Sequence, residues 1–106
     1  MQTILGSSGV IGKELAKALP QYTNKIRLVS RNPKKVNDSD ELLSADLLNA
    51  EETLKAVEGS DVVYLTVGLS YDINVWRTQW PLVMKNVIEA CKKKNSKFVF
   101  NLRKLS

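Results

Sequence analysis

The run Gly6-Ser7-Ser8-Gly9-Val10-Ile11-Gly12 constrains this chain more than any other stretch. It follows a short apolar run, Thr3-Ile4-Leu5, and opens a helical pattern from Lys13 to Leu19. A glycine-spaced turn between a strand and a helix has a specific physical use. The first turn of a helix leaves backbone N–H groups without partners, at the positive end of the helix dipole. Glycine removes the side chain that would block an anion from reaching them. The run therefore predicts an α/β fold whose first turn holds a phosphate or pyrophosphate.

The rest of the chain extends that pattern. Residues 2–5 read as a buried strand, and residues 10–19 as a helix with Val10, Ile11, Leu15 and Leu19 inward and Pro20 ending it. Ile26 to Ser30 reads as a second strand, followed by a turn at Asn32-Pro33 and a polar loop over 34–40. Glu41 to Ala45 is a weak third strand. Asn49 is a plausible N-cap for a helix over 50–58, with Glu51 and Glu52 in its first turn and Gly59 at its end. Asp61 to Val67 is the clearest strand of the chain. Gly68 to Gln79 reads as a loop or irregular helical segment. Pro81 suits the first position of a helix carrying Val83, Met84, Val87, Ile88 and Cys91 inward. Lys97 to Phe100 is a fifth strand. Alternating strands and helices imply a doubly wound, three-layer parallel sheet with right-handed crossovers, in strand order 3-2-1-4-5. Ligands of such sheets sit beyond the carboxyl ends of the strands, near the switch point between strands 1 and 4. That crevice collects the glycine run, Arg31, Asp46 and Gly68.

Composition narrows the function classes. The chain has 106 residues, 43% hydrophobic and 25% charged, as in a soluble domain with a real core. No run approaches the roughly 18 apolar residues of a membrane span, and the single Cys91 fits a reducing cytoplasm. Cys91 itself falls on an apolar helix face and reads as inert core. Histidine is absent, which removes Ser-His-Asp and Cys-His catalysis and most zinc sites; no metal site is expected. Net charge is +5, densest at Lys92-Lys93-Lys94 with Lys97 beyond. These lysines read as a solvated helix C-terminus and not a nucleic-acid surface, because no aromatic residues interleave with them.

The glycine spacing is Gly-x-x-Gly-x-x-Gly, not the Gly-x-Gly-x-x-Gly of classical dinucleotide folds. Together with Ser30-Arg31-Asn32-Pro33, Ala45-Asp46-Leu47, and Asn86-Val87-Ile88-Glu89-Ala90-Cys91 leading into Phe98-Val99-Phe100, it resembles the extended and atypical short-chain dehydrogenase/reductase superfamily, in particular its epimerase/dehydratase branch. The likeness covers residues 1–100, and the tail 101–106 does not match it.

The resemblance implies a cofactor site. Gly6 would make the tight turn, Gly9 would admit the pyrophosphate, and Gly12 would let the helix pack on the strand. Ser7 and Ser8 would add hydroxyl donors, and Val10 and Ile11 complete the loop. An NAD site carries a carboxylate about 20 residues after the glycines. Here Ser30-Arg31 stands instead, so Arg31 would pair with the 2′-phosphate of NADP, assisted by Lys34 or Lys35. NAD is the alternative cofactor, and a solvated surface arginine is the plain reading of Arg31. Asp46 would accept from the adenine amino group with Leu47 packed on the base; a loop or capping aspartate is the alternative. Val67 and Gly68 would let the backbone pass the adenine ribose, or Gly68 is a turn glycine. Tyr71, Trp76 and Trp80 follow strand 4, where they line a cleft or, more commonly for such aromatics, pack.

Catalysis in the superfamily uses a tyrosine and a lysine four residues apart. Tyr22, Tyr64 and Tyr71 are followed at that spacing by Ile26, Gly68 and Val75, so no catalytic residue is assigned. The expectation is the N-terminal cofactor-binding part of an epimerase, dehydratase or reductase; a designed fragment, a natural truncation and a frameshifted product all stay open. The alternatives are a non-catalytic dinucleotide sensor like the NmrA-like regulators, or an interaction fragment. A sheet ending at an apolar fifth strand exposes an unpaired edge, and the helix over 81–94 would lack a helical neighbour. Self-association through either is expected.

Overall fold

The computed structural model describes residues 1–7, 9–66 and 73–101, without the side chains of Val10, residues 73–76 and Asn101. The elements run β1 (Gln2–Leu5), α1 (Val10–Ala18), a 3-10 turn (Leu19–Gln21), β2 (Ile26–Ser30), β3 (Glu41–Ser44), α2 (Ala50–Val57), β4 (Val62–Thr66), α3 (Ile73–Lys94) and β5 (Lys97–Asn101). The five strands form one parallel sheet in the order β3-β2-β1-β4-β5, the doubly wound arrangement expected from the alternation.

Side chains alternate across each strand, so the sheet divides the core in two. On one face, Leu5, Val29, Val63 and Leu65 pack against Ala56 and Val57 of α2 and Val87, Ala90 and Cys91 of α3. On the other, Ile4, Ile26 and Leu28 pack against Ala16 of α1 and Leu19 of the 3-10 turn. Register aligns Ile4 with Leu28 on one side and Tyr64 on the other. This places the carboxyl ends of β1, β2 and β4 level with one another.

The helices start where local chemistry allows. Asn49 caps α2, its side chain accepting from the Glu52 N–H at 3.1 Å. Gly59 follows that helix at φ +79, a conformation glycine adopts freely. The polar loop after β2 is organised by Asp40, buried, whose carboxylate accepts from the N–H groups of Val36 and Asn37 at 3.1 and 2.6 Å.

Three expectations are corrected. The last long helix does not begin at Pro81; α3 starts at Ile73 and carries Pro81 in its interior. A proline there removes one backbone donor, yet Trp80, Val83 and Met84 pack on the core around it, and burial outweighs the local propensity. The first helix stops at Ala18, and Pro20 occupies an early position of the 3-10 turn after it. Nor does α3 lack a helical neighbour: Ala56 and Val57 of α2 and Val87, Ala90 and Cys91 of α3 share one cluster. The part of the expected loop over 68–72, with Tyr71, lies outside the described residues.

Candidate functional site

The glycine turn is tied to the sheet at three points. The Gly6 and Ser7 N–H groups donate to the Val29 carbonyl of β2 at 2.9 and 3.1 Å. Thr66, the last residue of β4, donates its hydroxyl to the carbonyls of Leu5 and Gly6 at 3.0 and 3.2 Å. Gly9 closes the turn, its N–H reaching the Gly6 carbonyl at 3.2 Å, and serves as the N-cap of α1.

Two of the glycines are required by space. Gly6 has φ +85, and a Cβ there would lie 2.3 Å from the Thr66 carbonyl oxygen. A Cβ on Gly12 would lie 2.6 Å from the Gly6 carbonyl oxygen and 2.8 Å from Ser7 Cα. Gly12 thus sets how closely α1 approaches the turn.

The start of α1 is poorly satisfied from within. Its N-cap is a glycine with no side-chain cap, and its first turn holds no acidic residue. Ser7 is 3% exposed, and its Oγ is buried without a hydrogen-bond partner. A buried hydroxyl left unpaired costs about 1–3 kcal/mol, and native chains rarely carry one without a reason. Uncapped helix N–H groups and an orphaned hydroxyl together fit a dinucleotide's phosphates.

Two clefts flank the turn. One, of about 280 Å³, is lined by Ser7, Lys13, Asn32 and Lys34. The other, of about 230 Å³, is lined by Gly6, Ser30, Arg31, Ala45, Asp46 and Leu47. The structure thus brings Gly6, Arg31, Asp46 and Leu47 together, as the sheet topology predicts, with Ser7 next door. Arg31 and Asp46 face each other, Nη2 to Oδ1 at 3.7 Å, in an exposed pair of small energetic weight. Asp46 also organises its own loop: Oδ1 accepts from the Leu48 N–H at 3.0 Å, and its N–H donates to Glu52 Oε1 at 3.1 Å. The loop-aspartate reading of Asp46 is therefore satisfied, whatever else the residue contacts. Ser8, Val67 and Gly68, and the side chains of Val10 and Trp76, lie outside what is described. Ile11 is half-buried on α1. Trp80 packs, 5.5 Å from the Phe100 ring. Cys91 is buried in the core, and burial pushes its thiol up to about 11.

Three residues of this region escaped the sequence reading. Thr66 holds the turn against β4, and its signal was a hydroxyl residue ending the clearest strand. Lys13 lines a cleft directly after Gly12. Asn86 of α3 is 5% exposed and donates to the Leu47 carbonyl at 2.9 Å, anchoring the loop after β3. Its signal was a polar residue on an otherwise apolar helix face. Among the described residues no helix is long and apolar enough to cross a membrane.

Comparison with known proteins agrees with this geometry. A mutated uronate dehydrogenase superposes with a TM-score of 0.81 at 22% identity, over 93% of this chain and 38% of its own. A uronate dehydrogenase variant from Agrobacterium tumefaciens, complexed with NAD, superposes at 0.80 with 18% identity, over 93% and 39%. A short-chain dehydrogenase/reductase from Veillonella parvula, in complex with NADP, superposes at 0.71 with 22% identity, over 93% and 45%. At these identities the likeness concerns the fold, and the chain spans less than half the length of each of these proteins. No curated protein matches the chain. The model of the NAD(P)H-binding family matches residues 6–100, from the first glycine of the turn to Phe100 in β5. The chain belongs to the NAD(P)H-binding family, with the Rossmann-like fold shared by uronate dehydrogenases and short-chain dehydrogenases/reductases.

Proposed function

We propose that this chain is the cofactor-binding part of an NADP-preferring dehydrogenase, reductase or epimerase/dehydratase. The observation that carries the reading is the glycine turn, with Ser7 Oγ buried and unpartnered beside the uncapped start of α1. The pyrophosphate would lie against Gly6, Ser7, Ser8, Gly9, Val10, Ile11 and Gly12. The adenosine would lie over the cleft of Arg31, Asp46 and Leu47, with Val67 and Gly68, which follow β4 in the chain, as the further expected contacts. Preference for NADP is supported by the segment at the carboxyl end of β2: Ser30-Arg31-Asn32-Pro33-Lys34-Lys35 contains three cations and no carboxylate. A free ribose 2′-hydroxyl is gripped by a carboxylate at that place, whereas a 2′-phosphate is stabilised by cations. When bound, the nicotinamide supplies hydride chemistry; this chain's own residues bind and orient the cofactor.

Calorimetric titration of the chain with NADP, NADPH, NAD and NADH tests the proposal. NADP and NADPH are expected to bind more tightly than their counterparts. Tighter binding of NAD would overturn the preference, and no binding of any of the four would overturn the site.

A further inference from the structure

Asn86 is buried on α3, directly before Val87, in the helix that also buries Ala90 and Cys91. Asparagine is a poor helix former, and a carboxamide taken out of water is costly unless its hydrogen bonds are made. An apolar side chain would serve packing better, so the amide answers a demand beyond packing. Its Nδ2 donates at 2.9 Å to the Leu47 carbonyl, 39 residues away in the loop between β3 and α2. The loop's own bonds are local. The Asp46 N–H donates to Glu52 Oε1 at 3.1 Å, and the Leu48 N–H to Asp46 Oδ1 at 3.0 Å. The Asn49 N–H donates to the Asp46 carbonyl at 3.0 Å. The Thr53 hydroxyl lies 3.3 Å from the Leu47 carbonyl and 2.8 Å from the Asn49 carbonyl. It has one proton, and the shorter contact takes it. The Leu47 carbonyl therefore depends on the Asn86 amide, which ties the loop to α3.

We infer that Asn86 is a positioning residue for the binding of a flat heteroaromatic base: from α3 it holds the Leu47 carbonyl, and so fixes Asp46 and Leu47 as one wall of the cleft they line with Arg31. The inference rests on the cofactor reading above, which puts the adenosine over that cleft. Leu47 packs against the core and lines the cleft as well, so a shift of its backbone moves the wall. A wall already in place spares the incoming base the cost of ordering it. Asn86 acts through Leu47 and not by touching the base.

The test titrates AMP and inorganic pyrophosphate calorimetrically into the full chain and into its Asn86→Leu and Asn86→Ala variants. Leucine keeps the volume without the donor, and alanine is the strongest helix former, so at least one variant is expected to fold. AMP should bind about three- to tenfold more weakly to the variants, as for side chains that must be ordered on binding, with pyrophosphate within about twofold of its original affinity. The split separates positioning from support of the fold, because a merely structural loss weakens both ligands together. Equal losses for AMP and pyrophosphate would therefore overturn the inference, and so would unchanged AMP affinity in both variants. An unsubstituted chain that binds pyrophosphate and not AMP would keep the glycine turn as an anion site and strike the base cleft, and the inference with it. A chain that binds neither would overturn the cofactor reading itself.

Discussion

Single residues carry the demands of the turn, and the tightest is Gly12. Its missing Cβ would sit 2.6 Å from the Gly6 carbonyl oxygen and 2.8 Å from Ser7 Cα, both backbone atoms that cannot rotate away. Gly12→Ala is therefore expected to push α1 off the turn, costing about 1–3 kcal/mol as overpacking does. Urea denaturation should show that loss, and dinucleotide titration should show weaker binding. An unchanged denaturation midpoint would mean that α1 shifts without cost. Cys91 makes a second demand, on pH. Burial raises its thiol from 9.0 to about 11, so the unfolded chain releases this proton at lower pH than the folded one. The contribution to stability is present in full below pH 9 and is lost as pH rises through 11. Denaturation midpoints followed from neutral pH into that range should fall, and Cys91→Ala should flatten the fall. A slope unaltered by the substitution would assign it to other groups.

At the scale of elements, α3 shows packing overruling propensity. A proline inside a helix costs roughly 3 kcal/mol relative to alanine, through a lost N–H and a steric clash. The helix nevertheless runs unbroken from Ile73 to Lys94, because Trp80 before the proline and Val83 and Met84 after it pack against the sheet. Pro81→Ala should therefore stabilise the chain by up to about 3 kcal/mol, read from thermal or urea unfolding. A loss of stability would show that the packing of Trp80 depends on the proline geometry. The same helix supplies Asn86, whose bond to the Leu47 carbonyl joins α3 to the loop carrying Asp46. Elements distant in sequence thus fix the shape of the cleft lined by Arg31, Asp46 and Leu47.

Across the whole molecule the sheet is covered unevenly. Below β1, β4 and β5, α2 and α3 bury Leu5, Val63 and Leu65. On the opposite face, α1 and the 3-10 turn pack over Ile4, Ile26 and Leu28, while Tyr64 and Val99, aligned across β4 and β5, stay half-buried. Among the described residues, β5 pairs only with β4, so its outer edge offers unpaired backbone groups beside Phe100, 37% exposed. Such an edge favours pairing with another chain. Sedimentation equilibrium is expected to show concentration-dependent self-association, reduced by Val99→Lys, which places a charge on the open face. A stable monomer at high concentration would count against this.

Much of this architecture is local in origin, and so it was legible in the amino-acid sequence. The 2–5 and 26–30 strands, the Asn49 cap and the glycine turn come from periodicity and backbone freedom within a few residues. With the alternation of strands and helices, they determine a parallel sheet and its order. What depended on contacts between distant residues could not be read that way. The start of α3 rests on burial of Trp80, Val83 and Met84 across the sheet, which overrides Pro81. The partners of Thr66 and Asn86 lie 61 and 39 residues away in the chain. The pairing of Arg31 with Asp46, and the separation of both from Lys13 and Lys34, exist because folding sets the ends of β2 and β3 beside the glycine turn. Sequence determined the glycine turn between β1 and α1; only tertiary packing decided which side chains stand beside it, Arg31 with Asp46 at one cleft and Lys13 with Lys34 at the other.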